Sequence, residues 1–274
     1  MGSFDTMRLS RSILLLLLVL MFVACGRSGH LARIETLPVD EMYDIANAAL
    51  QRGNHDRAIR YHQRLIARFP FGTFTEQAHL ELAYAQYRAR RPDQAISTID
   101  RFLRTYPTHP DADYAQYLRG LVNFEREASF VGRYVNLDQA QRDQAATRQS
   151  FSDFSRLLRD YPDSIHAADA RQRMIFLRNA LARHEVLIAR YYLRRGAFVA
   201  AVNRSKHVLE NYQQAPDGGD ALAIMIQSYQ QLGEQELADD TRRVLEANYP
   251  DHAFLRGEPA VRPKPIWRRL VPFG

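Results

Sequence analysis

Few residues in this sequence have the type and spacing that catalysis or metal binding requires. Cys25 is the single cysteine, and a lone thiol supports neither an internal disulfide nor a multi-cysteine metal site. His55 and His62 lie seven positions apart with no third ligand nearby in the sequence, so we expect surface or core histidines there. The sequence has no glycine-rich phosphate loop, no His-Glu-x-x-His and no Gly-x-Ser-x-Gly motif. We therefore expect a protein that is not an enzyme and holds no metal.

The composition is that of a folded protein. The chain has 274 residues, of which 46% are hydrophobic and 25% charged, so wholesale disorder and a polytopic membrane protein are both disfavoured. Lys and Arg number 37 against 31 Asp and Glu, a net charge of +6. This mild excess does not indicate a nucleic-acid partner.

The chemistry open to Cys25 is acylation. Arg8 and Arg11 precede an apolar run over residues 13–24, which is shorter than the about 20 residues that cross a bilayer. The stretch Phe22-Val23-Ala24-Cys25 resembles the lipobox of bacterial lipoproteins, in which the cysteine sulfur receives a diacylglycerol and the signal is removed. We therefore expect a signal peptide over 1–24 and a lipidated linker over 25–36, with no cofactor beyond the covalent lipid.

Two other interpretations of this segment remain open: an ordinary cleaved signal with an incidental cysteine, and an uncleaved anchor. Gly26, where an inner-membrane lipoprotein would carry aspartate, favours export to the outer membrane. Met7 is an alternative start to Met1, because the first residues add nothing to the signal.

The elements that follow are predicted helices in a repeat. A Gly, Ala, Pro pattern with fixed spacing looks like the tetratricopeptide repeat, a helix hairpin in which glycine permits the turn, alanine permits close helix packing and proline ends the second helix. We expect an all-α protein, an α-solenoid of roughly five such hairpins. The matching runs are Gly53-x4-Ala58-x11-Pro70, Arg90-x4-Ala95-x11-Pro107, Gly196-x4-Ala201-x11-Gln213 and Gly233-x4-Ala238-x11-Pro250.

A fifth hairpin is interrupted by an insertion. Gly120 fits the small position of its first helix, and Ser150, Phe154 and Pro162 fit its second, with extra residues around 130–148. Residues 169–194 contain no Gly or Pro and predict one long helix that spans a junction between two blocks. The predicted organisation is repeats 1–3 over 37–164, repeats 4–5 over 165–250 and a basic, proline-rich extended tail over 251–274.

A concave groove is the expected binding surface of such an array. The phasing set by the alanines places aromatic and polar side chains on its inner face, a composition that suits an extended peptide with aromatic side chains. Arg88 would be available for a carboxylate. The alternative is that several of these tyrosines only pack between helices. The candidates are Tyr43, Asn47, Tyr84, Tyr87, Arg88, Tyr114, Tyr117 and Phe124.

Longer stretches resemble the BamD family, lipoproteins of the bacterial β-barrel assembly machinery. The resemblance covers about residues 37–250 and the lipobox, and departs from the family at Gln213 and in the tail. It implies an outer-membrane lipoprotein that is anchored by its acyl chains and faces the periplasm. The runs that carry it include Ser150-Phe151-x-x-Phe154, Tyr161-Pro162-Asp163-Ser164, Leu177-Arg178-Asn179 and Arg195-Gly196-Ala197-Phe198-Val199-Ala200-Ala201-Val202-Asn203-Arg204.

The resemblance also implies partners. The amino-terminal repeats would receive unfolded outer-membrane proteins through their carboxy-terminal signal, and the carboxy-terminal repeats would dock on a POTRA domain of BamA, with other lipoproteins of the complex nearby. Arg195 and Arg204 lie in the matching motif and are the expected BamA interface. Helix capping or an internal salt bridge is the alternative role for both arginines.

Two other functions stay open at this point. A generic periplasmic repeat adaptor for cell-wall or division complexes would share the lipobox and hairpins without needing the Arg195 to Arg204 motif. A helical cell-wall lyase would need a catalytic glutamate in a sugar cleft.

Overall fold

The computed structural model describes residues 36–126 and 144–260. These residues form ten α-helices and a short 3-10 helix, and no strand, which confirms the all-α prediction. Paired in order, the ten helices make the five predicted hairpins. The helices are α1 (Val39–Gln51), α2 (His55–Arg68), α3 (Thr73–Arg88), α4 (Pro92–Thr105), α5 (Ala112–Arg126), α6 (Ala145–Asp160), α7 (Ala167–Arg194), α8 (Phe198–Asn211), α9 (Gly218–Leu232) and α10 (Gln235–Asn248).

The turn within a hairpin needs a left-handed residue. Gly53, Gly196 and Gly233 occupy it with φ of 74°, 73° and 81°, a region that glycine enters without steric penalty. Arg90 stands at the same position in the second hairpin and is forced to φ 57°. The repeat therefore imposes the backbone even where the sequence lacks the glycine.

Small residues allow the two helices of each hairpin to approach closely. The predicted alanines Ala58, Ala95, Ala201 and Ala238 are all buried. In the third hairpin Gly120 takes this role, since a Cβ there would lie 2.5 Å from the Phe154 ring. The Ser150 hydroxyl donates to the Gly120 carbonyl at 3.0 Å, so a side chain of α6 is hydrogen-bonded to the backbone of α5.

A buried carboxylate also joins α5 to α6. Asp153 is 1% exposed and accepts hydrogen bonds from Arg119, from Asn123 at 2.7 Å and from Gln149 at 3.0 Å. Burial raises the pKa of Asp153, while the Arg119 charge and the three hydrogen bonds oppose that rise. Directional hydrogen bonds thus help to hold the two helices of the third hairpin together.

The described residues fall into two compact units that divide between Leu118 and Arg119, within α5. The predicted long helix is present as α7, over 28 residues. It lies wholly in the second unit rather than at a junction. The division of roles at 164/165 concerns function and stays a prediction. Of the predicted insertion, residues 145–148 belong to the start of α6 and Gln144 precedes it, whereas residues 127–143 lie outside the described residues.

The chain after α10 folds back before it leaves the described part. Ala253–Arg256 form a 3-10 helix, and Phe254 and Leu255 pack against the core of the last hairpin. The expected extended tail therefore does not begin at 251, because these two apolar side chains are half-buried against the last hairpin. Residues 261–274 lie outside the described residues.

Adjacent glycines at the start of α9 admit close neighbours. A Cβ on Gly218 would lie 2.3 Å from the Tyr249 hydroxyl, and one on Gly219 would lie 2.8 Å from the His252 ring. The segment that follows α10 therefore rests directly on the α9 backbone.

We predict that Arg90→Gly stabilises the protein by about 0.5–1 kcal/mol. Glycine removes the strain of a non-glycine residue in the left-handed region, roughly 1–2 kcal/mol. This gain exceeds the stability lost because glycine raises the conformational entropy of the unfolded chain, roughly 0.5–1 kcal/mol. Chemical denaturation of both variants measures the difference. The matched control is Gly196→Ala, which should lower the free energy of unfolding by about 1 kcal/mol. A loss of stability in Arg90→Gly would contradict the assignment of strain.

Candidate functional site

One face of α3 assembles most of the candidate site in the first unit. Phe74, Gln77, Glu81, Tyr84 and Arg88 follow one another at helical spacing, so they share a side of the helix. Tyr84 and Arg88 were predicted to line the groove, whereas Phe74 and Glu81 were not. The same helical periodicity places Glu81 one turn and Phe74 three turns before Tyr84 on this face, and would have indicated both residues.

Glu81 is the polar centre of this face. Its Oε1 accepts a hydrogen bond from the Tyr43 hydroxyl of α1 at 2.7 Å, and Gln77 and Asn47 also bond to the carboxylate. Burial raises the pKa of Glu81, and these three hydrogen bonds partly offset the rise. The predicted residues Tyr43 and Asn47 are therefore brought together, but by a carboxylate that the prediction missed.

Tyr43 forms the aromatic part of the same cluster. Its ring lies 5.2 Å from the Phe74 ring and 6.3 Å from the His62 ring, distances typical of tilted and edge-to-face aromatic pairs. Burial is the main cause that raises the pKa of Tyr43 to about 12, so the phenol stays a hydrogen-bond donor. Tyr43, Asn47, Phe74 and Glu81 together form the Glu81 cluster.

His62 lies behind the Glu81 cluster and is fully buried. Its Nε2 is 3.4 Å from Glu81 Oε2. Burial lowers the pKa of His62 to about 4, so the imidazole is neutral near pH 7. This histidine is a core residue, as expected, and Glu81 gains no counter-charge from it.

The second part of the site is a tyrosine patch made of Tyr84, Tyr87, Arg88, Tyr114 and Tyr117. The Tyr84 and Tyr87 rings lie 6.3 Å apart. Arg88 is exposed, donates from Nη1 to the Tyr84 hydroxyl at 2.6 Å and lies over the Tyr84 ring at 5.6 Å. Its contacts on Tyr84 orient the guanidinium and leave further N–H groups for a ligand carboxylate.

Tyr114 connects the tyrosine patch to the Glu81 cluster. Burial is the largest cause that raises the pKa of Tyr114 to about 12, and Tyr84, Tyr117 and Glu81 add electrostatic contributions. Tyr43, Tyr84, Tyr87, Tyr114 and Tyr117 are each half-buried. They therefore pack against neighbouring helices and also present a surface, and their role in a binding groove stays a prediction.

Phe124 is placed differently from the other candidates. It belongs to the second unit, where its ring lies 5.7 Å from Phe176 and 4.9 Å from the Arg173 guanidinium. Phe176 on α7 is itself half exposed. Phe124 therefore forms an aromatic pair with α7 that the sequence pattern did not indicate.

Arg195 and Arg204, the candidates for partner docking, have different surroundings. Arg195 directly follows α7, and its backbone N–H donates to the carbonyls of Tyr191 and Tyr192. Its exposed side chain makes no hydrogen bond or ion pair with residues in the described ranges. Arg204 instead donates from Nη1 to Glu185 Oε2 at 3.0 Å. The Glu185 side chain is 6% exposed and that of Arg204 46%, so Arg204 makes the internal salt bridge that was its alternative role.

The remaining candidate, Cys25, lies outside the described residues, as does the signal peptide. Within 36–126 and 144–260, no helix has the length and hydrophobicity to cross a membrane. The same ranges contain no group of three or more His, Cys, Asp or Glu side chains arranged to hold a metal ion.

We predict that His62 makes the protein less stable in acid. Unfolded His62, with a pKa near 6.5, binds protons more readily than the folded residue at about 4. The stability present above about pH 6.5 is therefore lost as pH falls toward 4, by about 3 kcal/mol over the full range. In His62→Leu this part of the loss should disappear. Urea denaturation between about pH 7 and pH 4.5 measures it.

The matched control for this prediction is His207→Gln, which should keep the acid sensitivity of the unaltered protein. Glu81 acts in the opposite direction, because its raised pKa favours the folded state as pH falls, but it is present in every variant. Equal acid sensitivity in His62→Leu and in the control would show that His62 is not responsible.

Comparison with known proteins places this fold in a family. The family model YfiO, described as an outer membrane lipoprotein, matches residues 35–245. A protein of Xylella fastidiosa named outer membrane protein assembly factor BamD is 42% identical over 259 residues, covering 94% of this chain and 88% of the relative.

Relatives from other bacteria carry the same name. The BamD of Neisseria meningitidis serogroup A is 39% identical over 249 residues, covering 89% of this chain and 93% of the relative. The BamD of Haemophilus influenzae is 34% identical over 242 residues, covering 88% of this chain and 92% of the relative. The chain therefore belongs to the YfiO family of outer membrane lipoproteins, which includes the BamD assembly factors.

Proposed function

We propose that this protein is a non-enzymatic scaffold of the machinery that assembles β-barrel proteins into the outer membrane. The observation that carries the proposal is the match to outer membrane protein assembly factors over 94% of this chain. A repeat array that offers side-chain surfaces rather than a reactive centre fits a role in holding other chains.

The Glu81 cluster and the tyrosine patch would bind the carboxy-terminal signal of an unfolded outer-membrane protein. Half-buried tyrosines offer flat apolar faces for aromatic side chains of an extended peptide. Arg88 is exposed and held by Tyr84 at 2.6 Å, where it would pair with the peptide carboxylate. The Glu81 side chain, 18% exposed, would accept a backbone N–H of the same peptide.

Repeats 4–5, over residues 165–250, would dock on a POTRA domain of BamA, with the other lipoproteins of the complex nearby. Arg195 is the stronger candidate of the two arginines, because its exposed guanidinium is not used within the described residues. Arg204 is occupied by Glu185 at 3.0 Å, so a partner carboxylate would have to share or replace this contact. Arginine suits such an interface because its fork binds carboxylates in two places.

The anchor would be acyl chains on Cys25, which would hold the protein at the periplasmic side of the outer membrane. Several chains, at about 0.8 kcal/mol per buried methylene, give a lasting attachment where a single chain is marginal. Such an anchor would leave the helical units in water.

We predict that Tyr84→Ala combined with Tyr117→Ala weakens crosslinking to the final peptide of an outer-membrane protein by about tenfold. Loss of two aromatic faces removes roughly 0.5–1.5 kcal/mol each beyond the area they bury. The control is Tyr191→Ala, which removes a tyrosine that is 50% exposed on α7. Thermal unfolding of each variant verifies the fold. Unchanged crosslinking in the double variant would remove the groove assignment.

We predict that Arg195→Glu lowers co-purification with BamA at least fivefold, since reversing the charge of an interface arginine replaces attraction by repulsion. Co-elution from solubilised outer membranes measures it. Arg194→Glu, one residue earlier and also exposed, is the matched control. Arg204→Glu is a weaker test, because it would also place two carboxylates together at the buried Glu185 and destabilise α7 against α8. Undiminished co-purification of Arg195→Glu would exclude this arginine from the interface.

A further inference from the structure

The first hairpin has an open groove between α1 and α2, on the side away from the second hairpin. Ile59 and Ile66 of α2 face the second hairpin, where they pack with Leu82 and Ala85 of α3. Arg57 lies two positions before Ile59, so it projects from the opposite side of α2. We call this cavity of about 550 Å³ the α1–α2 groove, and it is lined by Asp44, Ile45, Ala48, Ala49, Arg52, Asn54 and Arg57.

The floor of the α1–α2 groove is apolar. Ile45 and Ala48 are half-buried and Ala49 is buried. The two alanines leave room for the backbone of another chain to approach α1 closely. Tyr43 and Asn47 each lie two positions from Ile45 and project from the other side of α1. The groove is therefore separate from the Glu81 cluster.

Three arginines in or beside this groove have donors that other described residues do not use. Arg57 lies over the Tyr61 ring at 5.4 Å from its centre, and its Nε is buried without a hydrogen-bond partner among the described residues. Arg52 and Arg60 are exposed, and their side chains make no hydrogen bond or ion pair within residues 36–126 and 144–260. Since buried donors are nearly always bonded, a ligand with acceptor oxygens would satisfy Arg57.

The acidic residues nearby do not neutralise these arginines. Asp44 is the one acidic residue that lines the groove, and no ion pair joins it to Arg52 or Arg57 in the described part of the chain. Asp56 of α2 is instead bonded by Arg91 Nη2 at 2.7 Å. Three arginines against one aspartate leave this region with a charge of +2.

The other charges on this side of the hairpin balance each other. Glu41 lies one turn before Ile45 on α1, and Arg64 lies one turn after Arg60 on α2. The excess positive charge is therefore concentrated at the end of the groove where α1 turns into α2. The amino terminus of α2 lies at that end and adds the positive pole of its helix dipole.

These features require an occupant that is acidic and that reaches an apolar floor. Residues 26–35 carry two Arg and one Glu, and residues 261–274 carry four basic side chains and no acidic one, so both segments have the wrong charge. A bilayer presents anionic headgroups, but its plane does not enter a concave groove between two helices. An amphipathic helix offers carboxylates on one side and apolar side chains on the other.

We propose that the α1–α2 groove binds an acidic amphipathic helix of a partner protein. The apolar side chains of this helix pack on Ile45 and Ala48, and its carboxylates bond to Arg52 and Arg57. The bound helix covers the first hairpin on the side opposite to α3. It thereby takes the place of a preceding neighbour in the array, in which each repeat packs against the next.

The test uses a fluorescein-labelled peptide of about fourteen residues, built from Glu, Leu and Ala so that Glu and Leu lie on opposite sides of a helix. Fluorescence anisotropy measures its binding to the full chain purified in detergent. We expect saturable binding, and at least about tenfold weaker binding of the same peptide with Gln in place of Glu. Arg52→Gln with Arg57→Gln should weaken binding of the Glu peptide by at least about tenfold as well.

The matched control removes the same charge from another helix. Arg101→Gln with Arg104→Gln alters two exposed arginines of α4 and should leave the affinity for the Glu peptide unchanged. Ala48→Glu tests the groove itself, because it places a carboxylate beside the arginines while both remain. This variant should also weaken binding by at least about tenfold. Thermal unfolding of each variant verifies the fold.

Several results would overturn the proposal. Absence of binding, or equal binding of the Glu and Gln peptides, would show that the groove does not select an acidic helix. Equal affinity of the Arg52→Gln, Arg57→Gln variant and its control would place the peptide elsewhere. Loss of binding in Tyr84→Ala with Tyr117→Ala would place it at the tyrosine patch. Displacement of the peptide by phosphatidylglycerol added to the micelles would assign the arginines to lipid headgroups.

Discussion

The structure depends on the close approach of two helices at a small residue, repeated once in every hairpin. Ala58, Ala95, Ala201 and Ala238 are buried at this contact, and Gly120 with Ser150 makes the same contact in the third hairpin. Because the two backbones are so near, a large side chain such as Phe154 packs directly against the backbone of the facing helix. The positions of the tyrosines and arginines that face outward follow from this spacing.

Residues under a backbone constraint could be predicted from the sequence, because glycine, alanine and proline are selected by local geometry. The turns, the buried alanines and the long helix were found in this way. Pairings between helices could not be predicted in the same way. Glu81 with Tyr43, and Glu185 with Arg204, depend on which helices become neighbours and on how deeply a carboxylate is buried.

Phe124 and the segment after α10 illustrate two other limits. Helical phasing gave the correct helix for Phe124 but not its aromatic partner on α7, because the phase of one helix says nothing about the next. Proline and arginine content suggested an extended tail from residue 251, whereas two apolar side chains, Phe254 and Leu255, fold its first part onto the array. A pair of apolar residues changes the overall composition of a polar stretch very little, so composition alone does not reveal such a contact.

Buried carboxylates recur at contacts between helices, and each is surrounded differently. Asp153 has an arginine and two amides, Glu81 has a phenol and two amides, and Glu185 has an arginine at the surface. Asp153 and Glu81 each accept hydrogen bonds from two helices, and Glu185 accepts one from a neighbouring helix, so each carboxylate fixes the register of its helices more narrowly than apolar packing does. The array thus combines tolerant apolar contacts with a few directional ones.

The paired glycines at 218 and 219 have a consequence for the protein's sequence variation. The side chains of Tyr249 and His252 contact the backbone of these glycines directly, so a Cβ at either position would clash with them. We therefore expect substitutions to be tolerated at positions 249 and 252 more readily than at positions 218 and 219.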